Sequence, residues 1–118
     1  MRRWNSEVIR AHNSDAGENQ FVSALTTPVC PGLAAHRSFW KSGSKRRWTL
    51  THTNSGKSAG TTDSKRDAMQ ALLILGTKNI DWTLNTDQLC TKYYRLMEVV
   101  NAAITESKRA DSKQRYFA

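Results

Sequence analysis

The sequence predicts an α+β domain: an antiparallel sheet of three or four strands packed on two C-terminal helices. Three observations predict it. Arg46–Thr53 alternates, with Trp48, Leu50 and His52 on one side and Arg47, Thr49, Thr51 and Thr53 on the other, which is the period of a half-buried strand. Ala68, Leu72 and Leu75, joined by Met69 and Leu73, recur at spacings of three and four, which is the period of an amphipathic helix. Leu89, Tyr93, Leu96, Val100 and Ala103, flanked by Met97 and Ile104, repeat that pattern over a longer stretch. Strands come first and helices follow, so the helices cover one face of an antiparallel sheet.

Each element follows from local chemistry. Trp4–His12 is compatible with a short helix or a strand, and Asn13–Gly17 is a turn. Gln20–Thr27 has strand composition with an ambiguous period, and Pro28–Gly32 interrupts it. Leu33–Lys41 is a strand, Ser42–Lys45 a turn, Arg46–Thr53 the clearest strand, and Asn54–Gly56 a tight turn whose Asn and Gly tolerate positive φ. Lys57–Thr61 is a short third strand. Asp63 or Ser64 caps the first helix, with Ser64 and Asp67 in capping-box spacing, and Gly76 closes it. Ile80 and Trp82 lie in a loop that lids the core. Thr86 caps a second helix over 86–108, with Asp87 at its positive end. The expected organisation is one domain over 1–106, with its sheet in 33–61 and helices at 63–76 and 86–108, followed by a basic flexible tail at 107–118.

The charge distribution narrows the function. The net charge is +8, and residues 36–66 carry eight basic residues against one acidic, Asp63. Residues 1–35 are neutral overall and residues 67–118 net only +1. A quarter of the chain therefore holds nearly all of the excess, a field that attracts polyanions. No apolar run approaches the ~20 residues that span a bilayer, and no hydrophobic leader follows Met1, so no membrane partner is expected and a cytoplasmic location is. Cys30 and Cys90, far apart in sequence, are expected as two reduced thiols.

The first candidate site is the outer face of the sheet. Arg37 and Lys41 on one strand, Lys45, Arg46, Arg47, Thr49 and Thr51 on its neighbour, and Lys57 at the start of the third would line a surface for nucleic acid or a partner. A β-ribbon fits the DNA major groove, Arg reads guanine edges, and Lys and Thr hold phosphates. The alternative is a solvated face, where Thr is common. Ser55-Gly56-Lys57-Ser58 matches the end of a phosphate-binding loop, but the position that requires the first Gly is Thr51 and no helix follows, so a hairpin turn is the better reading. Cys30, His36, His52 and Cys90 are zinc-type ligands without zinc spacing, and Cys90 sits on an apolar helix face. His36 and His52, as cross-strand neighbours, lack an acid or nucleophile partner for catalysis. No catalytic residue, metal or cofactor is expected. The apolar stripe of helix 86–108 is core in the first instance, and is long enough to offer a homodimer surface.

Arg47–Thr51, Ser55-Gly56-Lys57 and Ala59–Ala71 together resemble the AP2-type DNA-binding domain and the similar N-terminal domain of some tyrosine integrases. Both have a strand with a central Trp, a turn, a strand ending in Gly, and a helix with an acidic or hydroxyl cap and Ala-x-x-Ala. The resemblance covers about residues 33–75, and the family's glycine and arginine pattern before the first strand is absent. It implies a three-stranded sheet that contacts DNA with a helix packed behind it, and contact positions at Arg37, Arg46, Arg47, Thr49, Thr51 and Lys57. The chain also resembles the small accessory proteins of bacteriophages and mobile elements. The expected function is a non-enzymatic nucleic-acid-binding accessory protein, with DNA favoured over RNA, in the cytoplasm of a bacterial host. The rival is a phage-encoded, anti-CRISPR-like inhibitor that binds an acidic or nucleic-acid-binding host protein.

Overall fold

The computed structural model describes residues 4–13, 16–42 and 45–117. Among them the chain forms β1 (Asn5–Asn13), β2 (Glu18–Thr26), β3 (Leu33–Ser42), β4 (Lys45–His52), β5 (Ser58–Thr62), α1 (Lys65–Gly76), α2 (Thr86–Lys92) and α3 (Leu96–Phe117). The α+β class is as expected, but the sheet has five strands rather than three or four. They form an antiparallel meander in the order β1-β2-β3-β4-β5. No helix among the described residues is long and apolar enough to cross a membrane.

The helix-side core follows the sequence pattern. Leu33, Ala35 and Leu50 on the sheet meet Ala68, Ala71, Leu72 and Leu75 of α1 and Val100 and Ala103 of α3. Gly60, paired with Leu50, lets α3 approach: a Cβ there would lie 2.7 Å from Ile104 Cδ1. Trp82 is buried over this core and Ile80 packs at its margin, the lid that their loop position suggests. His52 fastens that loop. Its Nε2 lies 2.9 Å from the Trp82 carbonyl and 2.8 Å from that of Leu84, and its Nδ1 lies 2.8 Å from Ser55 Oγ.

Several helix boundaries differ from expectation. Ser64 does cap α1, its side chain accepting from the Asp67 N–H at 3.1 Å. Gly76, however, is the last helical residue and Thr77 the cap. A Cβ at Gly76 would lie 2.6 Å from the Val29 carbonyl oxygen, so the residue is small because the 27–32 loop crosses there. The predicted helix 86–108 is two helices. Asn85, rather than Thr86, caps α2 in a capping box with Gln88. The break at 93–95 contains neither Gly nor Pro: Tyr93 is extended, Arg95 takes φ +59°, and the Asp81 N–H donates to the Tyr93 hydroxyl at 2.8 Å. A tertiary hydrogen bond and side-chain packing hold the break. Beyond it α3 is helical to Phe117, through most of the stretch expected as a flexible tail.

The largest departure is the N-terminal third. Residues 5–26 form a nine-pair hairpin that joins the sheet at a single register pair, Leu25 with Ala35. Tethered so narrowly, the hairpin turns across the face opposite the helices. In a flat sheet β1 and β4 would stand three strand spacings apart, about 14 Å. Here the His12 N–H donates to the Gly56 carbonyl in the β4–β5 turn at 2.8 Å, and Gly56 (φ +76°) sits against the β1 backbone. Register shifts in the β3–β4 and β4–β5 ladders supply the added bend. The curled sheet encloses a second, small-residue interior: Ala11, Ala24 and Ala34 are buried, with His36, Ser38 and Thr51.

Candidate nucleic-acid interface

Except for Lys57, the basic residues of residues 36–66 lie on the β3–β4 hairpin and at the start of α1. The β4 strand leads into β5, and the Thr62 hydroxyl donates to the Ser64 carbonyl at 2.9 Å, fixing the turn into α1. That turn holds Asp63 outward. Arg47 Nη2 reaches Asp63 Oδ1 at 3.4 Å, and Lys108 Nζ of α3 reaches Oδ2 at 3.2 Å. Lys65 Nζ stands 6.0 Å from the centre of the Trp48 ring, within cation–π range. Arg37 pairs across the ladder with Trp48 and is exposed. Two elements, β4 and α3, thus bring cations to a single carboxylate that is itself 59 % exposed, while Lys65 of α1 lies over Trp48. Each of these pairs is solvent-facing and worth at most about 1 kcal/mol, so an incoming anion can displace Asp63 at small cost.

The ladder continues to this end through Lys41 opposite Arg46 and Ser42 opposite Lys45. The side chains of Lys41, Lys45 and Arg46 lie outside the described residues, so only their backbone register can be placed.

Other predicted positions lie elsewhere. Thr51 does not line an outer face: it is 1 % exposed and within 2.8 Å of His36 Nε2. Thr49 is half-buried, its hydroxyl 2.7 Å from Ser38 Oγ. The hairpin covers this face, which removes both hydroxyls from the proposed contact surface. Arg37 belongs to the helix side, sharing the Trp48–Leu50 face, and not to the side of Thr49. Lys57 is exposed at the opposite end of β4, on the order of 17 Å along the strand from Arg47 at ~3.4 Å per residue. The sequence pattern missed Lys65 and Lys108 as members of the cluster. Lys65 stood inside the counted charge excess without a role, and Lys108 was assigned to the tail.

The histidines are structural. His36 is 2 % exposed, with Nδ1 2.8 Å from the Arg37 carbonyl, so its Nδ1–H donates there and Nε2 accepts from Thr51. Burial pushes its pKa below 6.5. His36 and His52 face opposite sides of the sheet and share no site. The Ser55–Ser58 segment is a hairpin turn followed by a strand. Its Gly56 N–H donates to the His52 carbonyl at 2.7 Å and its Lys57 N–H to Ser55 Oγ at 3.2 Å, so both donors are already engaged. Among the described residues no three His, Cys, Asp or Glu side chains come together as metal ligands. Cys30 is buried, its thiol pushed up to about 12 by desolvation, whereas Cys90 is exposed on α2 and not core. The two thiols are free.

No family model, curated protein or solved structure matches the chain.

Proposed function

We propose that the chain is a non-enzymatic nucleic-acid-binding accessory protein, acting on DNA in preference to RNA through its basic end. The observation that carries this reading is the convergence of Arg47 and Lys108 on one exposed carboxylate, at the end where Lys41, Lys45 and Arg46 enter the ladder and Lys65 lies over Trp48. Like charges repel, so cations drawn together from two elements fit a polyanion better than they fit bare solvent. The resemblance of residues 33–75 to the integrase-type domain points the same way, as does a role in a bacteriophage or mobile element acting in the host cytoplasm. The contact surface in this reading is the end of the β3–β4 hairpin with the start of α1, rather than the full outer sheet face.

The test is a mobility shift of labelled duplex and single strand at rising salt. With ~5 phosphates neutralised, log affinity falls with log salt at a slope near −4 to −5. Joint replacement Lys45→Glu, Arg46→Glu and Arg47→Glu abolishes the shift while the circular dichroism spectrum stays unchanged. A salt-independent interaction, or full binding by the triple variant, rules the reading out.

A second reading has an observation of its own. Phe21 and Val8 are 77 % and 69 % exposed on the convex face of the β1–β2 hairpin, beside Arg10. Exposed aromatics next to Arg are the composition of protein-docking patches. This favours an inhibitor, anti-CRISPR-like, that docks on a host protein. Capture of host proteins with and without nuclease separates the two: recovery that survives nuclease supports the inhibitor, and recovery lost with it supports the nucleic-acid reading.

A further inference from the structure

At the end of the molecule away from the basic cluster, the β4–β5 turn, α2 and the start of α3 enclose a cleft of about 520 Å³. This is within the range of about 300–1,000 Å³ typical of small-molecule sites. Its walls are apolar. Trp82 and Leu89 are buried in them, Leu96 is half-buried, and Met97 is 54 % exposed beside it. The cleft exists because the chain breaks between α2 and α3. A continuous helix over 86–108 would have kept Leu89 and Leu96 on one unbroken stripe. The turn at Arg95 instead splays the two helices around an opening.

One further feature gives the opening a preferred ligand. The charges at the mouth do not cancel. Arg95 and Glu98 face each other at 3.7 Å and neutralise one another, whereas Lys57 is exposed and makes no ion pair among the described residues. The cleft therefore presents an apolar trough under one uncompensated ammonium group.

We propose that this cleft binds a monomeric amphipathic carboxylate, its hydrocarbon part lying between Leu89 and Leu96 and its head group at Lys57. The site is independent of the basic end: it shares no residue with the Asp63 cluster.

The molecule carries its own reporter. Cys90 is exposed and lines the cleft, while the only other thiol, Cys30, is buried in the core. Alkylation by iodoacetamide therefore reads Cys90. Dodecanoate, below its micellar range, slows alkylation of the folded protein saturably, and calorimetry returns the same midpoint. Dodecanol binds several-fold more weakly. Lys57→Gln weakens dodecanoate by roughly 2- to 5-fold, the size of a partly exposed ion pair, and leaves dodecanol unchanged. Cys90→Trp, an exposed position that crowds the cleft without touching the core, abolishes calorimetric binding of both while thermal unfolding stays cooperative. Absence of saturable protection overturns the proposal. Unaltered dodecanoate binding by Lys57→Gln overturns the head-group assignment, and unaltered binding by Cys90→Trp overturns the location. Neither cleft variant changes the salt slope of a DNA shift, which keeps the two sites distinguishable.

Discussion

The two faces of the β3–β4–β5 sheet are both buried, but by different means. Toward the helices, Leu33 and Leu50 meet Leu72, Leu75 and Val100, large apolar groups that fill a thick layer. Toward the β1–β2 hairpin, Ala11, Ala24 and Ala34 allow close backbone approach, and His36, Ser38, Thr49 and Thr51 satisfy one another by hydrogen bonds. Neighbouring residues of β4 serve both layers: Leu50 belongs to the first and Thr51 to the second. Burial on the helix side is signalled by hydrophobicity, while burial on the hairpin side depends on small size and mutual satisfaction of polar groups. A threonine-rich strand face is thus not evidence of solvent, nor of a ligand.

The contrast predicts different costs for disturbing each face. Leu72→Ala, on the helix side, destabilises by about 2–5 kcal/mol in urea unfolding, because it empties a fully enclosed volume. On the hairpin side the damaging change is enlargement. Ala34→Leu costs about 1–3 kcal/mol, and hydrogen exchange shows it as faster exchange of the His12 amide, whose bond to Gly56 holds the hairpin down. A neutral Ala34→Leu would mean that the second interior is loose, and the comparison would fail. Thr51→Val keeps the shape but leaves His36 Nε2 without its donor, for a loss of about 1–3 kcal/mol.

The same histidine gives the hairpin side a pH dependence. Burial lowers the His36 pKa in the folded state from 6.5, so on acidification the unfolded chain takes up its proton first. Its contribution is complete above 6.5 and declines as the pH falls below that value, until the folded imidazole itself protonates. Melting temperature followed between about pH 7.5 and 5.5 falls in the wild type. The slope is shallower in His36→Gln measured against its own pH 7.5 baseline. The smallest stability effect is at the basic end: Asp63→Asn changes unfolding free energy by no more than about 1 kcal/mol. It also tightens DNA binding at low salt, because Arg47 and Lys108 lose their competing partner.

The sequence made the helix side legible and left the other side dark. β4, β5, α1 and the Ser64 cap announce themselves through period and capping chemistry. The β1–β2 hairpin does not, because apolar residues lie on both of its faces: Ile9, Ala11, Val22 and Ala24 share the inward face, while Val8 and Phe21 point outward. A reading that takes apolar as inside finds no strand register there, and so could not foresee that Thr51 would be covered. The α2–α3 break was hidden for another reason, since its apolar stripe runs through residues 89–100 without a breaking residue. At the candidate site the charge was legible in the sequence and its geometry was not. Asp63 looked like a helix cap, and only the packing of α3 beside β5 brings Lys108 to it.

The bond between His12 and Gly56 also bears on how the chain is made. The β1–β2 hairpin is local and can pair as soon as it leaves the ribosome, but isolated hairpins are marginal in water. When β2 ends at Thr26, the Gly56 partner of the His12 N–H is still 30 residues away. At ~5–20 residues per second that is a delay of roughly 1.5–6 seconds, during which a strand pair with an open edge waits unpartnered. Alanine and polar side chains surround the one large apolar pair on its inner surface, Ile9 with Val22, and make it a poorer target for aggregation, whereas leucines in place of the alanines would have secured the docked state at the expense of the nascent one.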